Sequence, residues 1–398
     1  MSENINNKDL RLCTRFLAQL CTHAINATAP AAVPASLNER LFIGLCVNHK
    51  LENIAYTALS ATGSVPFTED AWFFLGEKYK QGILNDASQH YYLDMLRDAF
   101  NENGLSFLVL KGMCIKGIYP SSDLRQCSDI DIYVGKEGAK KAYDLLTGMG
   151  FTNSIYGFDT ATDNYKLDKF SYTEIHKQLI CDPYPWKDEC NKITERLIPL
   201  DGHELKMSDE DFYLFMLCHI AKHAKVGGIG MRAVLDVWVY ERAYPDLDRA
   251  YIRDKLEKCG LSMFYDRLLR LMHYWFDGAQ ADTLTLQFAD YVAISGWDGL
   301  KLQWRASDID RNYDNTTSKL RLKARAYYKM AFPGFDVLRG SYPVLEKHKL
   351  LLPLCYAHRA VKGVLFKPQT IKHVSQTYDE VDLSETDRIN RFRRELGL

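Results

Sequence analysis

No two of the ten cysteines are spaced C-x-x-C, and they form no compact framework. That excludes a zinc ribbon, a thioredoxin-like redox motif and a disulfide-stapled scaffold. No apolar run approaches the length of a membrane span; Leu350-Leu351-Leu352 is broken by Pro353. No apolar secretory stretch follows Met1. Free thiols in a reducing cytoplasm are the expectation. One-sided charge is missing too: 50 Lys and Arg face 51 Asp and Glu, a net charge of -1. So balanced a total disfavours a long nucleic-acid track and a membrane-bound polybasic surface. Internal repeats and low-complexity segments are absent. A zinc peptidase needs Glu after the first histidine of H-x-x-x-H, and Ile220 stands there between His219 and His223.

What remains is an ordinary globular composition, 47% hydrophobic and 25% charged over 398 residues. Three regions follow from periodicity. Residues 1–104 read as helices: Leu10, Cys13, Phe16, Leu17 and Leu20 recur at helical spacing. Ser36-Leu37-Asn38-Glu39 reads as a capping box, and a long helix ends near Asn103-Gly104. Residues 105–205 alternate apolar runs with helical stretches, the mark of a mixed α+β core. Strands are expected at 105–110, 128–134, 151–156 and 170–176, with a polar loop at 159–163. A hairpin is expected around Asp201-Gly202. Residues 206–398 read as largely helical, starting at a cap over Ser208 to Asp211.

The chemistry concentrates in Ser128-Asp129-Ile130-Asp131-Ile132-Tyr133-Val134. On a strand, residues two apart share a face, so Asp129 and Asp131 sit side by side while Ile130, Ile132 and Val134 enter the core. Adjacent carboxylates repel and raise each other's pKa unless a cation lies between them. A divalent ion, above all Mg²⁺ with its preference for carboxylate and phosphate oxygens, answers that need. Upstream, Leu105 to Leu110 is a strand, Lys111-Gly112 a turn, and Met113 to Tyr119 a helix. This order presents backbone N–H groups to phosphate. Lys111 and Arg125 place positive charge beside the acidic strand.

These residues resemble the nucleotidyltransferase superfamily of the DNA polymerase β-like fold. More closely, Leu110-Lys111-Gly112, Tyr119-Pro120, Arg125 and Asp129-Ile130-Asp131-Ile132 resemble a bacterial family described as uncharacterised nucleotidyltransferases. The wider superfamily carries Gly-Gly or Gly-Ser after its first strand; this chain has Lys-Gly-Met. The resemblance implies an α+β core with a small mixed sheet and two Mg²⁺ ions held by Asp129, Asp131 and a third carboxylate. It implies an NTP as substrate. Glu174 fits the third carboxylate, with Asp168 and Asp182 as alternatives. His176 shares the face of Glu174 and is placed to orient phosphate or acceptor.

Further along, His219, Lys222 and His223 share a helix with Lys225. The resemblance places them at the nucleotide or acceptor cleft; packing and solvation are the plain alternative. Arg232 and Asp236 read as a helix-stabilising pair at i, i+4. Transfer of a nucleoside monophosphate to an unknown acceptor (small molecule, sugar, protein or RNA) is the function these features imply. A non-catalytic nucleotide-sensing or scaffold module is the rival, and a toxin-like transferase acting on tRNA or protein is the variant. A protein partner through the helical regions fits all three.

Overall fold

The computed structural model describes residues 7–30, 32–63, 67–153, 161–296, 319–335, 338, 342–346, 348–366 and 383–398. The chain forms two compact units. The first takes residues 1–154, 161–300 and 395–398, so all three regions read from the sequence contribute to it. The second takes 155–160 and 301–394.

The first unit opens with α1 (Asn7–Asn26), α2 (Glu39–Asn48), α3 (Glu52–Ser60) and α4 (Glu69–Glu102). The cap of α2 is Asn38, whose side chain accepts from the Leu41 N–H, and not Ser36 as the capping-box spacing suggested. The sequence places the start of the long helix near Ser88, but α4 is a 34-residue helix that starts at Glu69. Its first half carries exposed Phe73, Phe74 and Leu84, which blurs the amphipathic signal.

Seven strands follow: β1 (Phe107–Val109), β2 (Ile130–Tyr133), β3 (Thr152–Asn153), β4 (Thr162–Lys166), β5 (Thr173–His176), β6 (Ile198–Asp201) and β7 (Glu204–Lys206). Between them lie α5 (Lys111–Lys116), α6 (Gly135–Gly148) and α7 (Lys187–Asn191). The sheet order is β3-β4-β5-β2-β1-β7-β6. β2 pairs parallel with β5 and antiparallel with β1. The Asp-Gly hairpin forms between β6 and β7, with Gly202 in the left-handed region at φ 53. Asp163, read as loop, lies inside β4; residues 154–160 lie outside the described set.

One face of the sheet is the core. Ile130, Ile132 and Val134 pack with Val109 and Ile175 against Leu93, Leu96 and Phe100 of α4 and Ala142 and Leu146 of α6. Each fully buried aliphatic side chain there contributes about 1.5–3 kcal/mol. Arg97 clamps α4 to β7 through two bonds to Glu204, at 3.0 and 3.1 Å. The opposite face carries the polar residues of β2 and β5.

Among the described residues five helices follow in this unit: α8 (Asp209–Val226), α9 (Met231–Ala243), α10 (Arg249–Lys258), α11 (Ser262–Phe276) and α12 (Thr283–Ser295). Ser208 caps α8 by accepting from the Asp211 N–H, as its spacing predicts. The second unit contains α13 (Lys319–Ala331) and α14 (Leu352–Phe366), and α15 (Leu383–Glu395) closes the chain. Leu338, Leu345 and Cys355 form a small core in the second unit. No helix among the described residues is long and apolar enough to cross a membrane.

Candidate active site

Strand register builds the site. The parallel β2–β5 ladder sets Asp131 opposite Glu174 and Tyr133 opposite His176. The antiparallel β4–β5 ladder adds Asn164 opposite Glu174 and Thr162 opposite His176. Because Ile130, Ile132 and Ile175 point into the core, alternation turns Asp131, Glu174 and His176 to the other face. Asp129, one residue before β2, shares that parity.

Asp131 is the hub. It is buried and accepts from Lys111 Nζ at 2.6 Å, and its Oδ1 lies 2.7 Å from His176 Nε2. His176 Nε2 also stands 3.4 Å from Lys111 Nζ and 3.5 Å from Glu174 Oε2. One ligand atom from each of Asp131, Glu174 and His176 falls within 4.8 Å of the others. Burial alone would raise the Asp131 carboxyl, but Lys111 and His176 hold it well below the usual carboxylate range. Asp129 goes the opposite way. Burial, then the charge of Asp131, pushes it up to about 7 against the pull of Lys111. The Lys111 ammonium is raised despite burial, because Asp131, Asp129 and Glu174 all favour its charge.

Lys111 has φ 48, the left-handed region that costs a side-chain-bearing residue about 1–2 kcal/mol. Gly112 does not occupy that region. Its missing Cβ has another cause: a Cβ there would lie 2.7 Å from Arg125 Nη1 and 2.8 Å from Cys127 Cβ. The glycine lets the 125–127 loop pass over α5, which accounts for it without a ligand.

Helix α8 faces the cluster. His219 and His223 stand Nε2 to Nε2 at 2.9 Å. His219 is held well below its ordinary pKa by burial, then by Lys111, with His176 also contributing. Burial and Lys222 lower His223 to about 3. Lys222 is lowered by burial and by Lys111. Three nitrogen-bearing side chains therefore lie within electrostatic range of the acidic cluster.

Arg125 does not join them, contrary to the sequence expectation. Its guanidinium is buried and clasps Asp236 at 3.1 and 2.8 Å, with Nη1 on the Gln126 carbonyl at 3.2 Å. Asp236 also accepts from Tyr119 at 2.8 Å. The expected Arg232–Asp236 helix pair is thereby replaced: Asp236 serves Arg125 and Tyr119, while Arg232 donates to the Gln126 carbonyl. Asp168 bonds Tyr92 at 2.6 Å, and exposed Asp182 bonds Lys187 at 2.7 Å. Neither belongs to the cluster.

Two neighbours escaped the sequence reading. Asn164 Oδ1 is buried with no hydrogen-bond partner among the described residues, next to Glu174. Tyr172, 37% exposed, is raised by burial and then by Glu174 and Asp129. Its i−2 spacing from Glu174 was the available signal. Asn164 gave none, because its strand begins where the sequence reads as loop.

The sheet carries clustered carboxylates on one face, Lys111 stands at the end of its interior strand β1, and the histidine-bearing α8 lies beside them; Asp131, Glu174 and His176 are a donor set that could hold a metal ion. The profile of a family described as "Uncharacterised nucleotidyltransferase" matches residues 35–277, and the chain belongs to that family. No curated protein and no solved structure matches the chain.

Proposed function

We propose that the protein transfers a nucleoside monophosphate from an NTP to an acceptor hydroxyl at the Asp129–Asp131–Glu174 site. One observation carries this reading: the β2–β5 register that sets Glu174 beside Asp131. A solvated D-x-D strand would have no third carboxylate at that spot, and a nucleotide-sensing or scaffold module would not need one.

The donor set fits a divalent cation. Two carboxylates and an imidazole converge within 4.8 Å, and the resident ammonium of Lys111 already occupies a cation position on Asp131. Carboxylate oxygens suit Mg²⁺ or Mn²⁺, and His176 adds a nitrogen donor. A bound metal would supply charge stabilisation of the phosphoryl oxygens. The chain's own residues do the rest. Asp131 is held ionised. Glu174 and Asp129 are the carboxylates placed to take the acceptor's hydroxyl proton as its oxygen bonds to the α-phosphorus and pyrophosphate leaves. Lys111, once released from Asp131, has the reach and charge to bind a phosphate. Lys222 adds a basic group on the α8 side, and His219 and His223, kept neutral by burial, offer ring nitrogens as hydrogen-bond partners to an anionic substrate.

The acceptor is unassigned, and tRNA or a protein side chain belongs with small molecules and sugars among the classes to screen. Each α-labelled NTP is incubated with the protein, Mg²⁺ or Mn²⁺, and fractionated lysate. A labelled acceptor that disappears with Asp131→Asn supports the reading. Undiminished labelling by both Asp129→Asn and Asp131→Asn sinks it.

A further inference from the structure

The near-zero net charge is a cancellation between two parts of the chain. Residues 1–300 carry 31 Lys and Arg against 40 Asp and Glu, whereas residues 301–398 carry 19 against 11. The excess is densest in 319–366, where ten basic residues meet two acidic ones, Asp336 and Glu346. Charge asymmetry of this kind points to a polyanionic partner.

Helix α13 gives the charge a shape. Arg321, Arg325, Tyr328 and Phe332 follow each other at i, i+4, i+7 and i+11, one face of the helix. Phe332 lies just past the last helical residue but continues the pattern, its N–H on the Tyr328 carbonyl at 2.7 Å. Both arginines are exposed, as are Tyr328 at 63% and Phe332 at 47%. The two rings lie 5.1 Å apart at 36°. Phe332 is held from behind by Tyr356, centroid to centroid 5.4 Å, and Tyr356 is tied to the Pro333 carbonyl at 2.8 Å.

We propose that this face of α13 binds a single-stranded nucleic acid, with Arg321 and Arg325 on the phosphates and Tyr328 and Phe332 stacking on bases. Aromatic platforms interleaved with cations along one track are how sequence-tolerant single-strand binding works. A helix lying on a membrane separates its cations and apolar residues onto opposite faces. Here they share one stripe, which favours the polynucleotide.

The test is fluorescence anisotropy with the full chain, without NTP, on labelled single strands of about 20 nucleotides, RNA and DNA, over roughly 50–200 mM salt. Saturable binding is expected. Tyr328→Ala should weaken it about tenfold, and Tyr328→Phe should keep it. Arg321→Ala with Arg325→Ala should flatten the slope of log affinity against log salt by about 1.4. The stronger of the two strands identifies the natural class. Absence of saturable binding to either strand overturns the proposal. So does unchanged binding by the alanine variants, or binding to phosphatidylserine vesicles in place of nucleic acid. Because the readout is binding alone, its failure leaves the transfer reading intact.

Discussion

Two buried ion pairs lie on neighbouring stretches of the chain and behave in opposite ways. Arg125–Asp236 is closed. Two parallel bonds join the partners, Tyr119 donates to Asp236, the Gln126 carbonyl accepts a third bond from Arg125, and side-chain exposures are 8% and 6%. Lys111–Asp131 is open. It rests on a single bond from an 18% exposed lysine, with Asp129, Glu174 and His176 crowding the same charge. The closed pair is buried, its two charges matched one to one, and it fixes the 119–127 loop to α9. The open pair has surplus negative charge, and a cation already stands in it. In this fold geometry separates a closed pair from an open one, and the sequence shows both only as a base near an acid.

The largest effect should come from emptying the open pair. Asp131→Asn removes the negative charge shared by Lys111 and His176 and one of the three carboxylates. Transfer should fall at least about 10³-fold, equivalent to roughly 4 kcal/mol of transition-state stabilisation. Folding should persist, because the variant also removes like-charge repulsion with Asp129 and Glu174. Activity within tenfold of the parent would place the chemistry elsewhere.

Breaking the closed pair should cost stability instead. Arg125→Ala leaves Asp236 buried without its partner, a loss of about 3–5 kcal/mol in denaturant unfolding. Arg125→Lys recovers little, since an ammonium cannot make the bidentate clasp. If Arg125→Ala unfolds like the parent but loses NTP affinity, Arg125 is a phosphate ligand after all, and the comparison fails.

The third effect depends on pH. The folded Asp129 carboxyl is raised to about 7, so its contribution favours the fold at acid pH and is lost as pH rises through that value. Asp131 is lowered, so its contribution is present at neutral pH and lost only on acidification. Asp129→Asn should therefore stabilise the metal-free protein at pH 8 by roughly 2–4 kcal/mol and change little at about pH 4, near the unfolded carboxyl's own pKa. Equal stabilisation at both values would refute the ionisation argument.

How much of this could be read in advance follows from the same geometry. The alternation of Asp129 and Asp131 with Ile130, Ile132 and Val134 is a local, period-two signal, and it placed one face in the core. The Asp201-Gly202 hairpin and the Ser208 cap are equally local. Adjacency of Glu174 to Asp131 was reached only through family resemblance, because register between strands more than forty residues apart leaves no local trace. The fate of Arg125 was illegible. Its partner lies 111 residues away, and a buried bidentate clasp has the same composition as a solvated base. Gly112 misled for a related reason: it reads as a turn residue, while the left-handed position is Lys111 and the glycine answers to Cys127.

Lys111→Met supplies the finest test of the open pair, because its two consequences have opposite signs. Methionine keeps the length and apolar stem of lysine and deletes only the ammonium. In the metal-free protein that ammonium sits on Asp131 and favours its ionised form. A metal ion approaching Asp131 and Glu174 must displace it or share the carboxylate with it. Removing it therefore unmasks the donor set. Mn²⁺ affinity, read by electron paramagnetic resonance without nucleotide, should rise about tenfold, a change of 1.4 kcal/mol. Triphosphate affinity should fall by a similar factor for all four NTPs, since a phosphate contact carries no base identity. A loss of Mn²⁺ affinity would mean that the lysine organises the carboxylates for metal and does not compete with it. Unchanged triphosphate affinity would mean that it never leaves Asp131, and phosphate binding would then fall to Lys222 on the α8 side.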